Sequence, residues 1–467
     1  MQRLFKGTLL FILIAILLSL AGLSFLIFAK QYDEFINWLL VAMHKDNAWK
    51  VFLQKRFSPL AFTALKWIVV IFDIAFFFLI MVFFKRYNKI ENRILIFIDD
   101  VRQDISACIN TIKYAGKTEK FLFAAIIGFA FIKTIYYDLT VPIKYDEAWT
   151  YNYFIHNGLW QSVAMPSNNH KLFTFTAWFF NLLPFDKTFL IRLPCVLGGI
   201  VMLWVFYCYL RKKYTLPVAL IGLTWLATCL PVAKHMFIAR SYIFVILFSL
   251  LFIITCFRIF YSSPKKYLFV SAAIFIAAGY FSNPVFFFCH VSISIFLLVL
   301  LLWNKQTKKS VQFIYLNFAA LILVAVMYAP DIIGGHFSAL LEAAVKQNTA
   351  ENYAITCIDY NASFQTGIEN SRWLFAIIIV AGIVSTFKTK GFQKTILWYS
   401  VLSILWLPAY ASFVHDDTAL HKTIFITLSF TFILVAIISS FVPKKIIQHP
   451  AAKFFLIALI IIEHNKC

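Results

Sequence analysis

Residues 140–172 read TVPIKYDEAWTYNYFIHNGLWQSVAMPSNNHKL and form a polar, aromatic stretch between two long apolar parts of the chain. The adjacent acids Asp146 and Glu147 lie near its beginning. Its end carries hydrogen-bonding and titratable groups, namely Asn168, Asn169, His170 and Lys171. Because ionisable residues at a membrane boundary are candidates for function, this stretch indicates a reaction centre at the membrane surface. An ordinary solvated loop has the same composition and is the alternative.

The composition around this stretch places the chain in a membrane. Hydrophobic residues make up 62% of the sequence and charged residues 13%, whereas a soluble domain has roughly 45–50% apolar and about 25% charged residues. Apolar runs of about 18 residues or more are typical of membrane-spanning helices. We therefore predict an all-α, polytopic membrane protein with about 13 transmembrane helices and juxtamembrane helices on the outer face.

The apolar runs give the order of the predicted spans. The segment 172–184 is too short to cross a bilayer, which takes about 20 residues, and is predicted to be a juxtamembrane helix. The predicted spans are 9–28, 60–84, 121–139, 192–213, 216–232, 243–260, 267–281, 285–303, 313–329, 373–387, 396–410, 424–442 and 454–462.

The formal net charge of +21 comes from lysines and arginines that gather in short loops. This placement follows the positive-inside rule, so we expect membrane lipids as partners and no nucleic acid. The rule predicts one side of the membrane for Asp146, His170, Arg240, Tyr353 and Asp416. It predicts the other side for Lys85, Lys212, Lys265 and Lys308.

Two regions follow from this pattern. Residues 1–120 are predicted to form an N-terminal transmembrane hairpin plus a cytoplasmic amphipathic connector, which begins with Lys85, Arg86, Lys89 and Arg93. The first apolar run is too long for a signal peptide and is interpreted as a retained anchor. Residues 121–467 are predicted to be the catalytic core, with outer loops 140–190 and 330–372. Residues 1–120 show no convergent cluster of polar residues, and we interpret this region as dispensable for the chemistry.

The cysteines and histidines give no specific metal signal. The eight cysteines are scattered and form no CxxC pair, so neither a disulfide framework nor a zinc site is predicted. The turn with His415, Asp416 and Asp417 has groups that bind metals, but its spacing is not specific. We expect no metal and no cofactor in the site.

The acid pair predicts the catalytic residues. Neighbouring residues in a helix point about 100° apart, so one carboxylate can face a cleft while the other faces water or a helix terminus. A carboxylate in a cleft can act as general base toward a hydroxyl. We assign this role to Asp146 and give Glu147 a supporting role, in which it orients the site or binds substrate.

Two further motifs predict substrate binding. The amides of Asn168 and Asn169, with His170 and Lys171, can bind sugar hydroxyls and a phosphate. The alternative is helix capping, since Asn is a preferred N-cap residue. Residues 239–242 read ARSY and bring a cation to the same boundary. Lipid headgroups are an alternative partner for that cation. The substrate-binding residues in this turn are predicted to be Arg240 and Tyr242.

The order of these motifs resembles the GT-C superfamily of membrane glycosyltransferases. It resembles in particular the branch of protein O-mannosyltransferases and the aminoarabinose transferase that modifies lipid A. The motifs that carry the resemblance are YDEA at 145–148, NNHKL at 168–172, RLP at 192–194 and ARSY at 239–242, followed by the long loop 330–372. The sequence departs from the pattern at Lys171, where proline commonly follows the motif histidine, and in the additional residues 1–120.

The resemblance implies a function. The donor would be a polyprenyl-phosphate sugar, and the acceptor a hydroxyl on a lipid, a glycan or a protein. Asp146 would deprotonate the acceptor, and attack at the anomeric carbon would invert its configuration. Cations near Lys171 and Arg240 would stabilise the departing phosphate. The expected location is the bacterial inner membrane, with the active site on the periplasmic face.

Two other classes of function stay open from the sequence. One is a flippase or transporter of polyprenol-linked glycans. The other is a polymerase or ligase of surface glycans, or a non-catalytic assembly subunit. A transporter is expected to place polar groups near the middle of the membrane on interrupted helices. The predicted spans contain few such groups, which favours a transferase.

Overall fold

The computed structural model describes residues 2–42, 50–51, 53–54, 58–159, 162, 170–262, 265–328, 353–366, 368, 371–413 and 426–442. The regular structure of these residues is helical throughout, so the all-α prediction is confirmed for them. The helices are α1 Gln2–Ala29, α2 Tyr32–Ala42, α3 Pro59–Lys85, α4 Tyr87–Lys113, α5 Lys117–Thr140, α6 Tyr145–Thr150, α7 Lys171–Asn181, α8 Lys187–Lys213, α9 Leu216–Thr228, α10 Leu230–Phe237, α11 Tyr242–Tyr261, α12 Lys266–Ser282, α13 Phe286–Trp303, α14 Thr307–Met327, α15 Tyr353–Thr366, α16 Arg372–Lys388, α17 Gly391–Phe413 and α18 Thr427–Phe441.

Several helices are long and apolar enough to cross a bilayer. Among the described residues there are 6 of them, or up to 7 if the bent pair α9 and α10 is one span. Apolar helices of 10–17 residues are also present, at Leu13–Ala29, Lys266–Ser282 and Thr427–Phe441. The prediction of a membrane protein therefore agrees with the fold, whereas the count of about 13 spans is not confirmed. The predicted span 454–462 lies outside the described residues.

Two predicted boundaries differ from the observed ones. The predicted span 216–232 is broken into α9 and α10, which are bent by 54° relative to each other. Pro231 lies in the first turn of α10, and it has no N–H to donate to a carbonyl of the preceding turn. The span predicted from Arg192 begins earlier, at Lys187. The Asp186 side chain caps that helix by accepting a hydrogen bond from Phe189 N at 2.9 Å.

The chain divides into two compact units, Met1–Gln103 and Asp104–Cys467. In the first unit, α1, α2 and α3 share a small core of Ile27, Phe35 and Phe62. Lys66 closes this core, because its Nζ donates to the carbonyls of Phe28 and Lys30 at 2.9 Å each. A half-buried lysine that bonds two carbonyls satisfies part of its donor capacity while its stem covers apolar surface.

In the second unit, α8 is the central helix and packs against α5, α7, α9, α10 and α11. Two adjacent glycines allow the close approach of its neighbours. A Cβ at Gly199 would lie 2.6 Å from Met236 Cγ on α10, and one at Gly198 would lie 2.9 Å from Phe244 Cε1 on α11. Side chains at these positions would therefore force the Met236 and Phe244 side chains to shift, so the glycines allow the close packing of the two helices that flank the turn 238–241.

Charged residues bind one another near both ends of α5 and α8. At one end, Asp138 of α5 contacts Arg192 of α8 at 3.5 Å. At the other end, Glu119 of α5 contacts Arg211 of α8 at 2.8 Å. In both helices the two charged residues are 19 positions apart in the sequence, which is about 28 Å along a helix axis. This separation matches the roughly 30 Å hydrocarbon thickness of a bilayer.

Candidate active site

The end of the bundle that carries Arg192 also carries the predicted catalytic pair. The loop after α5 leads into the short helix α6, where Asp146 and Glu147 occupy the first turn. Glu147 is fully buried, whereas the Asp146 side chain is 58% exposed. The helical twist between neighbouring residues thus turns one carboxylate into the protein and the other toward the exterior.

Glu147 forms a buried, bidentate ion pair with Arg192. Arg192 Nε donates to Glu147 Oε1 at 2.9 Å, and Nη2 donates to Oε2 at 2.8 Å. Both side chains are completely excluded from solvent. Parallel N–H···O bonds of this kind fix orientation as well as charge. The pair therefore fastens the beginning of α6 to the centre of the bundle.

The remaining Arg192 donors hold the loop between α5 and α6. Nη1 donates to the carbonyls of Asp138 at 2.9 Å and Val141 at 3.0 Å, and Nη2 donates to the Pro142 carbonyl at 3.3 Å. A planar guanidinium with five N–H groups can serve several acceptors at once. Arg192 thereby sets the path of the chain that delivers Asp146.

Glu147 also positions a second segment of the site, the turn between α10 and α11. Its Oε1 accepts a hydrogen bond from Ala239 N at 2.7 Å, while its Oε2 accepts one from Lys144 N at 2.9 Å. The residue after Ala239 is Arg240, whose Nη2 lies 3.0 Å from Asp146 Oδ2. By holding this turn, the buried Glu147 carboxylate places Arg240 next to the exposed Asp146 carboxylate.

His170 joins the same cluster from the beginning of α7. Its Nδ1 lies 2.7 Å from Ser241 Oγ and 3.0 Å from Asn283 Nδ2. The Asn283 amide is oriented because its Oδ1 accepts from Val285 N at 2.9 Å. Asn283 Nδ2 is therefore the donor and His170 Nδ1 the acceptor, which places the proton of the neutral imidazole on Nε2.

The surroundings keep His170 neutral. Burial lowers the pKa of its imidazole well below the usual range, and the charges of Arg240 and His235 add to the effect. Burial acts in this direction because a low-dielectric environment disfavours the charged form of the ring. A neutral His170 with its proton on Nε2 is a hydrogen-bond donor at that atom.

Two donors in the cluster are buried without a hydrogen-bond partner among the described residues. They are His170 Nε2 and Arg240 Nη1. A buried polar group without a partner is disfavoured by about 1–3 kcal/mol. Two such donors close to one exposed carboxylate indicate a place for a ligand with acceptor oxygens.

Lys171 and Tyr242 line the same region. The Lys171 side chain is almost fully buried, and its Nζ lies 4.8 Å from the centre of the Tyr328 ring. Tyr328 in turn donates its hydroxyl to the Tyr280 carbonyl at 2.6 Å. The Tyr242 ring packs between two imidazoles, with centroid distances of 5.6 Å to His170 and 4.7 Å to His235.

The structure brings most of the predicted site residues together. Asp146, His170, Lys171, Arg240 and Tyr242 lie in one region at the end of the bundle, and Glu147 lies directly behind it. Asn168 and Asn169 lie outside the described residues, as does the turn with His415, Asp416 and Asp417. Among the described residues no group of three or more His, Cys, Asp or Glu side chains could hold a metal ion.

Sequence reasoning missed four residues of this region. Arg192 was noted only as the beginning of a span, and Ser241 only as part of a motif. Asn283 and Tyr328 were not singled out at all. The dipeptide Asn283-Pro284 at a span boundary is the clearest missed signal, because a turn before proline exposes an amide next to the site.

The neutral state of His170 predicts a pH dependence of stability. The unfolded chain takes up a proton near pH 6.5, the ordinary pKa of histidine of about 6.5, and folded His170 does not. The stabilising effect is therefore complete above that pH and is lost as the pH falls toward the lower folded pKa. We expect the thermal midpoint to fall less between pH 7.5 and pH 5 in His170→Gln than in the wild type. The exposed His156→Gln is the control, and equal slopes in all three proteins would contradict the prediction.

Comparisons with known proteins give no relative from which a function could be taken: no family model matches the chain, and no curated protein or solved structure does.

Proposed function

We propose that the chain is a glycosyltransferase of the membrane that moves a sugar from a polyprenyl-phosphate donor to an acceptor hydroxyl, with inversion. The acceptor is a hydroxyl of a lipid, a glycan or a protein. The reaction takes place at the outer face of the inner membrane of a bacterium. The proposal rests on the resemblance in motif order and on the chemistry of the residues around Asp146.

The observation that carries the proposal is the pairing of an exposed carboxylate with unpartnered donors. Asp146 is the exposed acid, and the buried donors without partners among the described residues are His170 Nε2 and Arg240 Nη1. Hydrogen-bond donors that point at a developing negative charge make the largest contribution to the rate enhancement of many enzymes. An acid and an anion-binding group side by side are what a base-assisted displacement of a phosphate requires.

In the proposed reaction, Asp146 accepts the proton of the acceptor hydroxyl as its oxygen forms the bond to the anomeric carbon. The bond from that carbon to the phosphate oxygen breaks on the opposite face, so the configuration inverts. The electron pair leaves with the polyprenyl phosphate, and Arg240 and Lys171 offset the charge that grows on it. His170 donates from Nε2 to an oxygen of the phosphate or the sugar. No nucleotide and no metal takes part in these steps.

The direct test is donor turnover. We expect purified protein in lipid vesicles, supplied with a panel of polyprenyl-phosphate sugars and envelope extract as acceptor, to release polyprenyl phosphate from at least one donor. Asp146→Asn protein is the matched control, because it differs by one atom in the proposed base. Donor movement across the vesicle membrane without release of polyprenyl phosphate would contradict the proposal and support a flippase.

A second expected result concerns the two cations. Lys171→Met and Arg240→Met should each lower donor turnover about 10²–10³-fold, since one donor to a developing charge is worth about 2.7–4 kcal/mol. Methionine keeps most of the buried aliphatic stem and removes the charge. Lys171→Arg should restore only part of the rate, because the two cations differ in shape and hydration.

The matched control for these variants is Lys266→Ala, a lysine at the opposite end of the bundle from Asp146. It should turn over at the wild-type rate. If both methionine variants also did so, Lys171 and Arg240 would bind lipid headgroups or support the fold instead of the phosphate.

A further inference from the structure

Helix α4, which connects the spans α3 and α5, has an exposed apolar row. The members of the row are between 45% and 52% exposed and are Ile94, Ile98, Ile105 and Ile109. Residues that are three, four or seven positions apart share one face of a helix. These four isoleucines therefore form one continuous stripe along the helix, outside the catalytic region.

The opposite face of α4 is mainly polar over the same length. Its exposed polar residues are Asn92, Asp99, Gln103, Ser106 and Asn110. Ile96, seven positions before Gln103, is an exposed apolar residue on this face, and Leu95 lies between the two faces. The helix is thus apolar on one side and hydrophilic on the other, which is typical of a helix that lies in an interface between water and lipid.

The connections of α4 restrict how it can be oriented. One residue, Arg86, separates it from α3, and three residues, Tyr114–Gly116, separate it from α5. The helix has 27 residues, which makes it about 40 Å long. Three extended residues reach at most about 11 Å. If α4 pointed away from the membrane, its distal end could not return to the beginning of the next span.

Both ends of α4 are therefore close to the same surface of the bilayer. The helix cannot cross the membrane itself, because it contains Arg93, Asp99, Asp100, Arg102 and Asp104, and charged residues in the hydrocarbon region are strongly disfavoured. A straight helix whose two ends are tied to one membrane surface lies along that surface.

We propose that α4 binds the lipid surface, with the isoleucine stripe inserted at the boundary between headgroups and acyl chains. Basic residues lie at the two ends of α4 and beside the stripe, and they fit the phosphates of anionic lipids. They are Lys85, Arg86, Lys89, Arg102 and Lys113. Long basic side chains next to an apolar face extend toward headgroups and add to such binding.

The C-terminal half of α4 has a third face that contacts protein. Asp104 accepts hydrogen bonds from Arg258 Nη1 at 2.6 Å and Nη2 at 3.0 Å. Nearby, Cys208 Sγ donates to the Cys108 carbonyl at 3.4 Å. By the helical twist of about 100° per residue, this face is roughly a quarter turn away from the stripe. Lipid and protein therefore bind different faces of the same helix.

Photocrosslinking in the full-length protein tests the proposal without any substrate. We place p-benzoylphenylalanine at Ile98 or Ile105, and, as matched controls on the polar face, at Asp99 or Ser106. Phe72 of α3, which is 54% exposed in a span, is the positive control. The proteins are irradiated in vesicles of phosphatidylethanolamine and phosphatidylglycerol, and phospholipid adducts are measured by mass spectrometry.

The expected result is a phospholipid adduct at Ile98 and Ile105, at a yield severalfold above that of Asp99 and Ser106 and similar to that of Phe72. A crosslinked dimer from the stripe positions would overturn the proposal in favour of a second copy of the chain. Equal yields on the two faces, or no adduct at the stripe while Phe72 reacts, would overturn it as well.

Discussion

We expect Asp146→Asn to lower turnover about 10²–10⁴-fold, the usual contribution of general base catalysis, with little change in donor affinity. Asparagine preserves the shape of the side chain and removes the oxygen that accepts the proton. The Asp146 side chain is 58% exposed and pairs with Arg240 at 3.0 Å. Only the Asp146 side of this pair is exposed, since the Arg240 side chain is 10% exposed. The amide oxygen of asparagine can still accept a hydrogen bond from Arg240, so the fold should be kept.

The measurements are initial rate, donor affinity and thermal midpoint on the same preparation. A selective loss of rate supports a chemical role for Asp146. If Asp146→Asn bound donor and turned over at the wild-type rate, the base would have to be sought elsewhere. Parallel losses of affinity and rate would indicate that the carboxylate binds substrate instead of taking its proton.

Glu147→Gln should have a different effect, namely a large loss of stability. The substitution removes the closest counter-ion of the buried Arg192 and leaves it only the longer contact with Asp138 at 3.5 Å. Breaking a buried pair by removing one partner is destabilising by about 3–5 kcal/mol. Arg192→Met should be similarly destabilised, because Glu147 then becomes the uncompensated charge. Arg192→Lys should not restore stability, since an ammonium cannot reproduce the bidentate fork.

The loss of stability is measured as the midpoint of thermal unfolding in detergent, with size-exclusion chromatography as the readout of the folded protein. The matched control is Asp104→Asn, which removes an ion pair whose side chains are 37% and 40% exposed and should shift the midpoint far less. If Glu147→Gln had the wild-type midpoint but no turnover, Glu147 would take part in the reaction itself and would not only position other residues.

Much of the fold follows from the sequence alone. The composition and the length of the apolar runs lead to an all-helical chain with membrane-spanning helices, because both depend only on local transfer free energies. The amphipathic character of the connector before residue 121 was visible for the same reason, and the structure has the helix Tyr87–Lys113 in that part of the chain. The adjacent acids at the end of an apolar run also located the candidate site.

The tertiary structure alone decided how the two acids differ. Asp146 and Glu147 are neighbours of similar chemistry, and nothing local says which is buried. Glu147 is buried because its partner Arg192, 45 positions away, faces it across packed helices. In the same way, the tautomer of His170 depends on Asn283, which is 113 positions away.

The number and continuity of the spans were also decided by packing. The apolar run 216–232 predicted one span, but the first helix ends at Thr228, and a second helix begins at Leu230 with a bend of 54°. Hydropathy measures how well a residue tolerates lipid, and it carries no information on where a helix turns. The sequence by itself determined which residues can lie in the membrane and which acids lie at its boundary. Contacts between distant residues decided which acid is available, because burial and hydrogen bonding are properties of the packed chain.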